Sequence, residues 1–286
     1  MAEQTLVQAL HLLSLASKNY VAKGLGVKLG AFFCHYAYME ILGALIAGGF
    51  IGAVLGFIGA GGAMLSVPIL IYGFNFSPAH ATTAALAIVF SAAVSGLISK
   101  FRSKDVLIKE ALVIWALGLV TNLGGSWVAH RLPDSFITTG FAIVLISAAT
   151  SMLFKPVGGS EKKIPLAALI AISLTIGLMT GLFGIGGGFL AIPVLVLFFN
   201  NTSNKAAGTS LFIIALNTLT AFFGHYTLWS EISWHLPILI SISAVVVAGL
   251  ASRMGQLSNP LLMRRSFAVL LYAVSLFTII QTWVIS

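Results

Sequence analysis

Two runs of glycine carry the first hint of chemistry. Gly59, Gly61 and Gly62 form one, and Gly184, Gly186, Gly187 and Gly188 the other, each inside an otherwise apolar stretch. Glycine loses more backbone freedom on ordering than any other residue, so clustered glycines predict a break in the helix. Inside a bilayer, non-helical backbone is tolerated only where protein or a water-filled cavity satisfies its hydrogen bonds. Where a helix restarts after such a break, its first N–H groups and positive dipole end point outward. With no Cβ in the way, a small oxoanion can reach them. Two such ends, one per run, predict an anion site near the membrane midplane. Thr82 and Thr83 after the first run, and Thr209, Ser210 and Asn217 after the second, are further donors for the same anion. The competing reading of these side chains is bonding within their own helices. Asn122 and Asn217 are the costliest to bury without a purpose. His80 and His225, at the ends of apolar segments, are candidate proton-coupling groups, set against ordinary interfacial solvation.

Other uses of glycine must be separated from this one. Gly48, Gly52 and Gly56 recur every fourth residue, the small-residue stripe that lets two membrane helices approach closely. The string GFIGAGGA superficially matches a dinucleotide fingerprint, but no Asp or Glu follows before Lys100 to hold a ribose. No catalytic carboxylate pair, metal-ligand spacing or Ser/His/Asp arrangement falls at membrane depth, so an enzyme is not expected, nor a cofactor. Cys34 is the single cysteine and reads as a packing residue, with no disulfide framework.

The elements that hold these residues are read from composition. Hydrophobic residues make up 59% of the 286, charged residues 8%, and the mean hydropathy is +1.05. A soluble domain carries about 25% charged residues, so the lipid bilayer is the expected partner. The net charge of +8 is scattered through short gaps without interleaved aromatics, which argues against nucleic acid. The stretch before Leu6 to Leu15 lacks a basic region and a cleavage site, so no removable signal peptide is expected.

The chain repeats itself. GFIGAGGAMLSVPIL from Gly56 aligns with GLFGIGGGFLAIPVL from Gly181, an offset of 125 residues (181 less 56). Beyond residue 124 the likeness continues with one residue inserted. Each half divides into five apolar segments, the second of each too short to cross about 30 Å of hydrocarbon. The expected fold is an all-α integral membrane protein of two repeats, with short broken half-helices at the glycine runs. Its parts are an N-terminal interfacial or extra helix over 1–40, repeat 1 over 41–154, a polar linker over 155–164, and repeat 2 over 165–286. Lys100, Arg102, Lys104 and Lys109 fill one gap, whereas the matching gap of the second half holds only Glu231. The positive-inside rule then places equivalent loops on opposite sides, an inverted-topology pair with a cytoplasmic linker. Lys18, Lys23 and Lys28 would fall outside, against that rule.

The paired motif G-x-x-G-x-G-G-x-x-x-x-x-P, with AAGTSL at Ala206 to Leu211, resembles the sulfite exporter TauE/SafE family over residues 41–284. The resemblance implies a multi-pass permease of the inner or plasma membrane for sulfite, sulfoacetate or a related organosulfonate. The first half departs from the pattern: Ala84 and Ala85 stand where the second has Thr209 and Ser210, and Ala63 replaces Gly188. The expected function is secondary transport of such a small anion by alternating access, with a passive anion channel as the alternative. A coupling ion, H+ or Na+, and a homodimer are left open.

Overall fold

The computed structural model describes residues 23–60, 62–129, 134–154, 165–183, 192, 195, 202–281 and 283. Gly61, Gly184, Gly186, Gly187 and Gly188 lie outside the described residues. The described residues are helical, with no strand among them.

The first helix, α1, runs Lys23–Ile58 over 36 residues, about 54 Å at 1.5 Å per residue. It crosses position 40 as one continuous helix. No glycine or proline stands between Ala31 and Leu42 to interrupt it. The helix ends at Gly59, which sits at φ +84°, a conformation glycine adopts without the Cβ penalty.

A short helix α2, Gly62–Pro68, follows. It continues as a π turn over Ile69–Gly73. Pro68 lacks an N–H and its ring crowds the turn before it, so the regular ladder of α2 is already broken where the π turn begins. Asn75, at φ 55°, turns the chain out, and Ser77 caps the next helix by accepting from the His80 N–H at 3.4 Å. The first half thus contains the broken, too-short second segment that its glycines predict.

The remaining helices are α3 Pro78–Arg102, α4 Ile108–Ala129, α5 Asp134–Phe154, α6 Leu166–Phe183, α7 Ser203–Gly224, α8 His235–Leu257 and α9 Pro260–Ile280. By length and composition, spans at Tyr38–Ile58, Ala79–Arg102, Asn204–Gly224 and His235–Gly255 can cross a membrane. Many of their large apolar side chains, such as Ile46, Ile242 and Val246, face outward, as lipid contact requires.

The packing pairs each half with the other. α1 lies against α8, and α6 lies against α4. At an offset of about 125 these are one pairing seen twice, because α1 corresponds to α6 and α4 to α8. In the first crossing, a Cβ on Gly48, Gly52 or Gly56 would strike the backbone carbonyls of Ile240, Ala244 and Ala248. The three contacts advance together by four residues, so α1 and α8 run parallel and in close apposition. The second crossing puts Gly177 against Gly118 and Thr121.

The two helices related by the repeat also meet directly. α3 packs on α7, with Lys100 beside Asn204 and Thr83 beside His225. α5 packs on α9, where Thr150 reaches Tyr272 at 2.7 Å and Trp283 reaches Thr139 at 3.3 Å. In both pairs the higher number on one helix meets the lower on the other, so each pair is antiparallel.

Candidate functional site

α7 is the axis of the site, because the predicted residues distribute along it. At its start, Thr202 caps the helix by accepting from the Lys205 N–H at 3.4 Å, as Ser77 does 125 residues earlier. The Gly59 break rests on this first stretch: a Cβ there would meet Ala207 Cα and Cβ at 2.6 Å. Gly208 is as tight, its missing side chain leaving room for the Asp105 carbonyl. The backbone around the first glycine run is thus closed over by α7. Gly62 opens α2, and a Cβ on it would press on Leu55 at 3.0 Å.

Thr209 is fully buried and committed. Its hydroxyl donates to the Lys205 carbonyl at 2.7 Å and accepts from the Leu107 N–H at 3.0 Å, fixing the entry into α4. Thr209→Val should leave that N–H without an acceptor and lower stability by about 1–3 kcal/mol, read as a fall in melting temperature. Ser210 is fully buried beside it.

Lys100 stands apart from its neighbours. Sequence reasoning groups it with Arg102, Lys104 and Lys109 as a loop charge. Those three are exposed, but Lys100 is wholly buried and donates to Asn204 Oδ1 at 3.1 Å. It lies in the last turn of α3, turned toward α7 rather than toward the loop. The Asn204 amide, with the Asp105 carboxylate nearby, returns only part of the hydration that the buried ammonium loses. Lys100→Met together with Asp105→Asn, which removes both charges, should therefore leave the melting temperature unchanged or raise it by a few degrees.

At the far end of α7, about 24 Å from Thr209 at 1.5 Å per residue, the two candidate histidines meet the start of α3. His225 Nδ1 lies 2.8 Å from Thr83 Oγ1, which also contacts the Ala79 carbonyl at 2.9 Å. Thr83 has one hydrogen. When it goes to Ala79, the imidazole must present Nδ1–H and keeps Nε2 for a proton. His80 Nε2 sits 3.4 Å from Glu231 Oε2 on the surface. Thr82 is half-buried one residue from Thr83. At offset 125, His225 is the counterpart of Lys100: each ends one helix of the pair and is tied to a neutral side chain at the start of the other.

Midway between these ends, Asn217 of α7 and Asn122 of α4 line one small cavity. Gly118 of α4 and Gly177 of α6 complete its polar side, and Ile114, Ile176 and Ile213 close it. About 10 Å³ is open to the centre of a water-sized sphere, room for a single water. One turn before Gly118, the buried indole N–H of Trp115 finds no acceptor among the described residues. Trp115→Phe loses no hydrogen bond, so any fall in its melting temperature should be no more than the small cost of lost packing, about 1 kcal/mol.

The described candidates therefore occupy three levels along α7. Gly59, Gly62, Thr209 and Ser210 belong to one end, Asn217 to the middle, and Thr82, Thr83, His80 and His225 to the other end. Sequence reasoning missed Lys100 as a buried group and the meeting of Asn122 with Asn217. The first was legible as the offset partner of His225. The second needs the α4–α6 crossing, which no local pattern reveals.

Apolar spans joined in a cross-paired bundle, with one helix interrupted at a left-handed glycine, define a multi-pass helical membrane protein of transporter type. The chain belongs to the sulfite exporter TauE/SafE family, whose model matches residues 44–278. Its relatives include a probable membrane transporter protein of Xylella fastidiosa, strain 9a5c, 23% identical over 246 residues covering 83% of this chain and 94% of that one. The probable membrane transporter protein YunE of Bacillus subtilis is 25% identical over 77% of this chain and 89% of its own. That of Methanocaldococcus jannaschii, MJ0441, is 24% identical over 86% and 98%. No solved structure matches the chain.

Proposed function

We propose that the chain is a secondary transporter of a small sulfur oxoanion or organosulfonate, of the sulfite or sulfoacetate class, in the inner or plasma membrane. The substrate binds near the midplane between two inverted repeats, residues 41–154 and 165–286, and is released to either side as one repeat rocks against the other. The antiparallel contact of α3 with its own counterpart α7 is the observation that supports this most. Two related helices that meet antiparallel belong to halves inserted in opposite senses.

In this reading Asn217 adds a side-chain amide near the midplane. The backbone that restarts at Gly62, with its counterpart at Gly184 to Gly188, offers N–H donors once the repeats part and uncover it. The Gly59 N–H is held by the Leu55 carbonyl at 2.8 Å and shapes the break. His80 and His225 carry a coupling proton at one mouth, where His225 Nε2 is the nitrogen left for it. Thr82, Thr83, Thr209 and Ser210 hold the ends of α3 and α7 in register with the site.

Counterflow in proteoliposomes tests it. Vesicles loaded with unlabelled sulfite and diluted into labelled sulfite should transiently accumulate label above its equilibrium level. A channel would only equilibrate it. Sulfoacetate, taurine and sulfate, compared by thermal stabilisation of the purified protein, then rank the substrates. No accumulation for any of these anions would overturn the carrier reading.

A further inference from the structure

At the mouth where α3 begins and α7 ends, two side-chain contacts join the first repeat to the second, and each contains an imidazole. His80 Nε2 of α3 lies 3.4 Å from Glu231 Oε2, and Thr83 Oγ1 of α3 lies 2.8 Å from His225 Nδ1. Glu231 belongs to the loop after α7, but that loop is clamped to the helix. Trp229 stacks on Phe222 with ring centroids 4.5 Å apart, and its indole N–H donates to the Phe222 carbonyl at 3.2 Å. Trp234 in turn donates to the Trp229 carbonyl at 2.9 Å. Glu231 therefore moves with α7, and parting α3 from α7 breaks both contacts at once.

A proton strengthens both contacts in the same sense. Protonated His80 forms an ion pair with Glu231, whereas the neutral ring offers one uncharged hydrogen bond. His80 stands in the first turn of α3, where the helix dipole disfavours a cation, so Glu231 is what supports its charge. Protonated His225 donates a charged Nδ1–H to Thr83, which passes its own hydrogen to the Ala79 carbonyl. As the C-cap of α7, His225 is where the helix dipole favours positive charge. The other titratable groups at this level do not make the switch. His235 Nδ1 meets Ser233 at 2.8 Å within the second repeat, and Tyr226 is exposed. Gly48 on Ile240 sets Glu40 level with Ile232, eight residues earlier on both helices, and carboxylates titrate below the imidazole range. At the opposite end of the α3–α7 pair, offset 125 puts Lys205, Lys100 and Val106 where this mouth has His80, His225 and Glu231.

We infer that His80–Glu231 and Thr83–His225 form an acid-closed latch across the two repeats: protonation of the imidazoles holds the α3–α7 seam shut at this mouth, and loss of those protons frees it. The inference takes from the transporter reading that the seam parts, and it adds what the proton at this mouth does. Because the contacts exist only in the closed arrangement, each proton shifts the population toward closure by the strength of the contact it makes. The closing effect is present in acid and is lost as the pH rises through the imidazole range of about 5 to 8.

Thiol labelling reads the seam without any substrate. Thr218 lies seven residues before His225 on the same face of α7 and is buried. In a Cys34→Ser background, Thr218→Cys is labelled with an impermeant maleimide on right-side-out vesicles, at about pH 5.5 and at about pH 8. The exposed Ser230→Cys, labelled in parallel, corrects for the reactivity of the thiol itself. The corrected rate should be about fivefold higher at the upper pH, as an exposed ion pair and one charged hydrogen bond can supply. Glu231→Gln should reduce that ratio to about twofold, and His80→Gln with His225→Gln should bring it to about one. His235→Gln should keep the full response. Melting temperatures establish that the variants are folded, and should the double variant not fold, Glu231→Gln decides alone. No labelling of Thr218→Cys at either pH, an equal corrected rate at both, or a fivefold ratio surviving in folded Glu231→Gln overturns the latch. Sulfite counterflow at one fixed pH checks the transporter reading separately: counterflow with a flat labelling ratio overturns the latch alone, and a fivefold ratio without counterflow supports the latch and overturns the carrier.

Discussion

Gly52→Ala should push α1 off α8 and lower the melting temperature by on the order of 10 °C, the shift expected for about 3 kcal/mol of overpacking. The added methyl would sit on the Ala244 carbonyl, and backbone cannot swing aside as a side chain can. Gly49→Ala, three residues earlier on the same helix, is the internal comparison. A Cβ there would meet Ser243 Oγ at 3.5 Å and Val247 Cγ2 at 3.8 Å, ordinary contacts. That variant should be neutral or stabilised by up to about 1 kcal/mol, the propensity gain of alanine over glycine. Gly177→Ala should behave like Gly52→Ala, because its Cβ would strike Gly118 in the equivalent crossing. Similar melting temperatures for Gly49→Ala and Gly52→Ala would contradict the close approach of these helices.

The second large effect is expected at Gly59, where stability and transport should fall together. At φ +84° an alanine pays about 1–2 kcal/mol for the left-handed backbone and also meets Ala207 at 2.6 Å. The break between α1 and α2 must move, and with it the backbone proposed to face the substrate. Sulfite counterflow should drop below one tenth of the wild-type rate in Gly59→Ala, with a lower melting temperature. Gly124→Ala, which meets nothing within 4 Å, should retain both. Wild-type counterflow by Gly59→Ala would remove the first glycine run from the transport pathway.

Much of this architecture was written in composition and self-similarity. Apolar length placed the chain in lipid, the offset of 125 matched α1 with α6 and α4 with α8, and adjacent glycines located the interruption after Ile58. The stripe Gly48, Gly52 and Gly56 read as a packing surface because membrane helices approach closely only where side chains are small. Local patterns failed where a residue's role depends on a distant helix. Lys100 looks like a loop charge because it neighbours Arg102 and Lys104, yet helical periodicity turns it inward onto Asn204. Thr209 looks like a free donor, but the loop before α4 uses its hydroxyl through Leu107. Asn122 and Asn217 stand 95 residues apart, and only the Gly118–Gly177 crossing brings them to one cavity.

Opposed insertion of the two halves is the claim on which the proposed mechanism depends, and side-specific thiol labelling measures it. In a Cys34→Ser background, which has no other cysteine, single cysteines are placed at Lys104 in the loop after α3 and at Ser230 in the loop after α7. Both positions are exposed. A membrane-impermeant maleimide applied to right-side-out vesicles should label Ser230→Cys and leave Lys104→Cys untouched until the membrane is opened. Labelling of both from the same side would contradict the inverted arrangement and the carrier built on it.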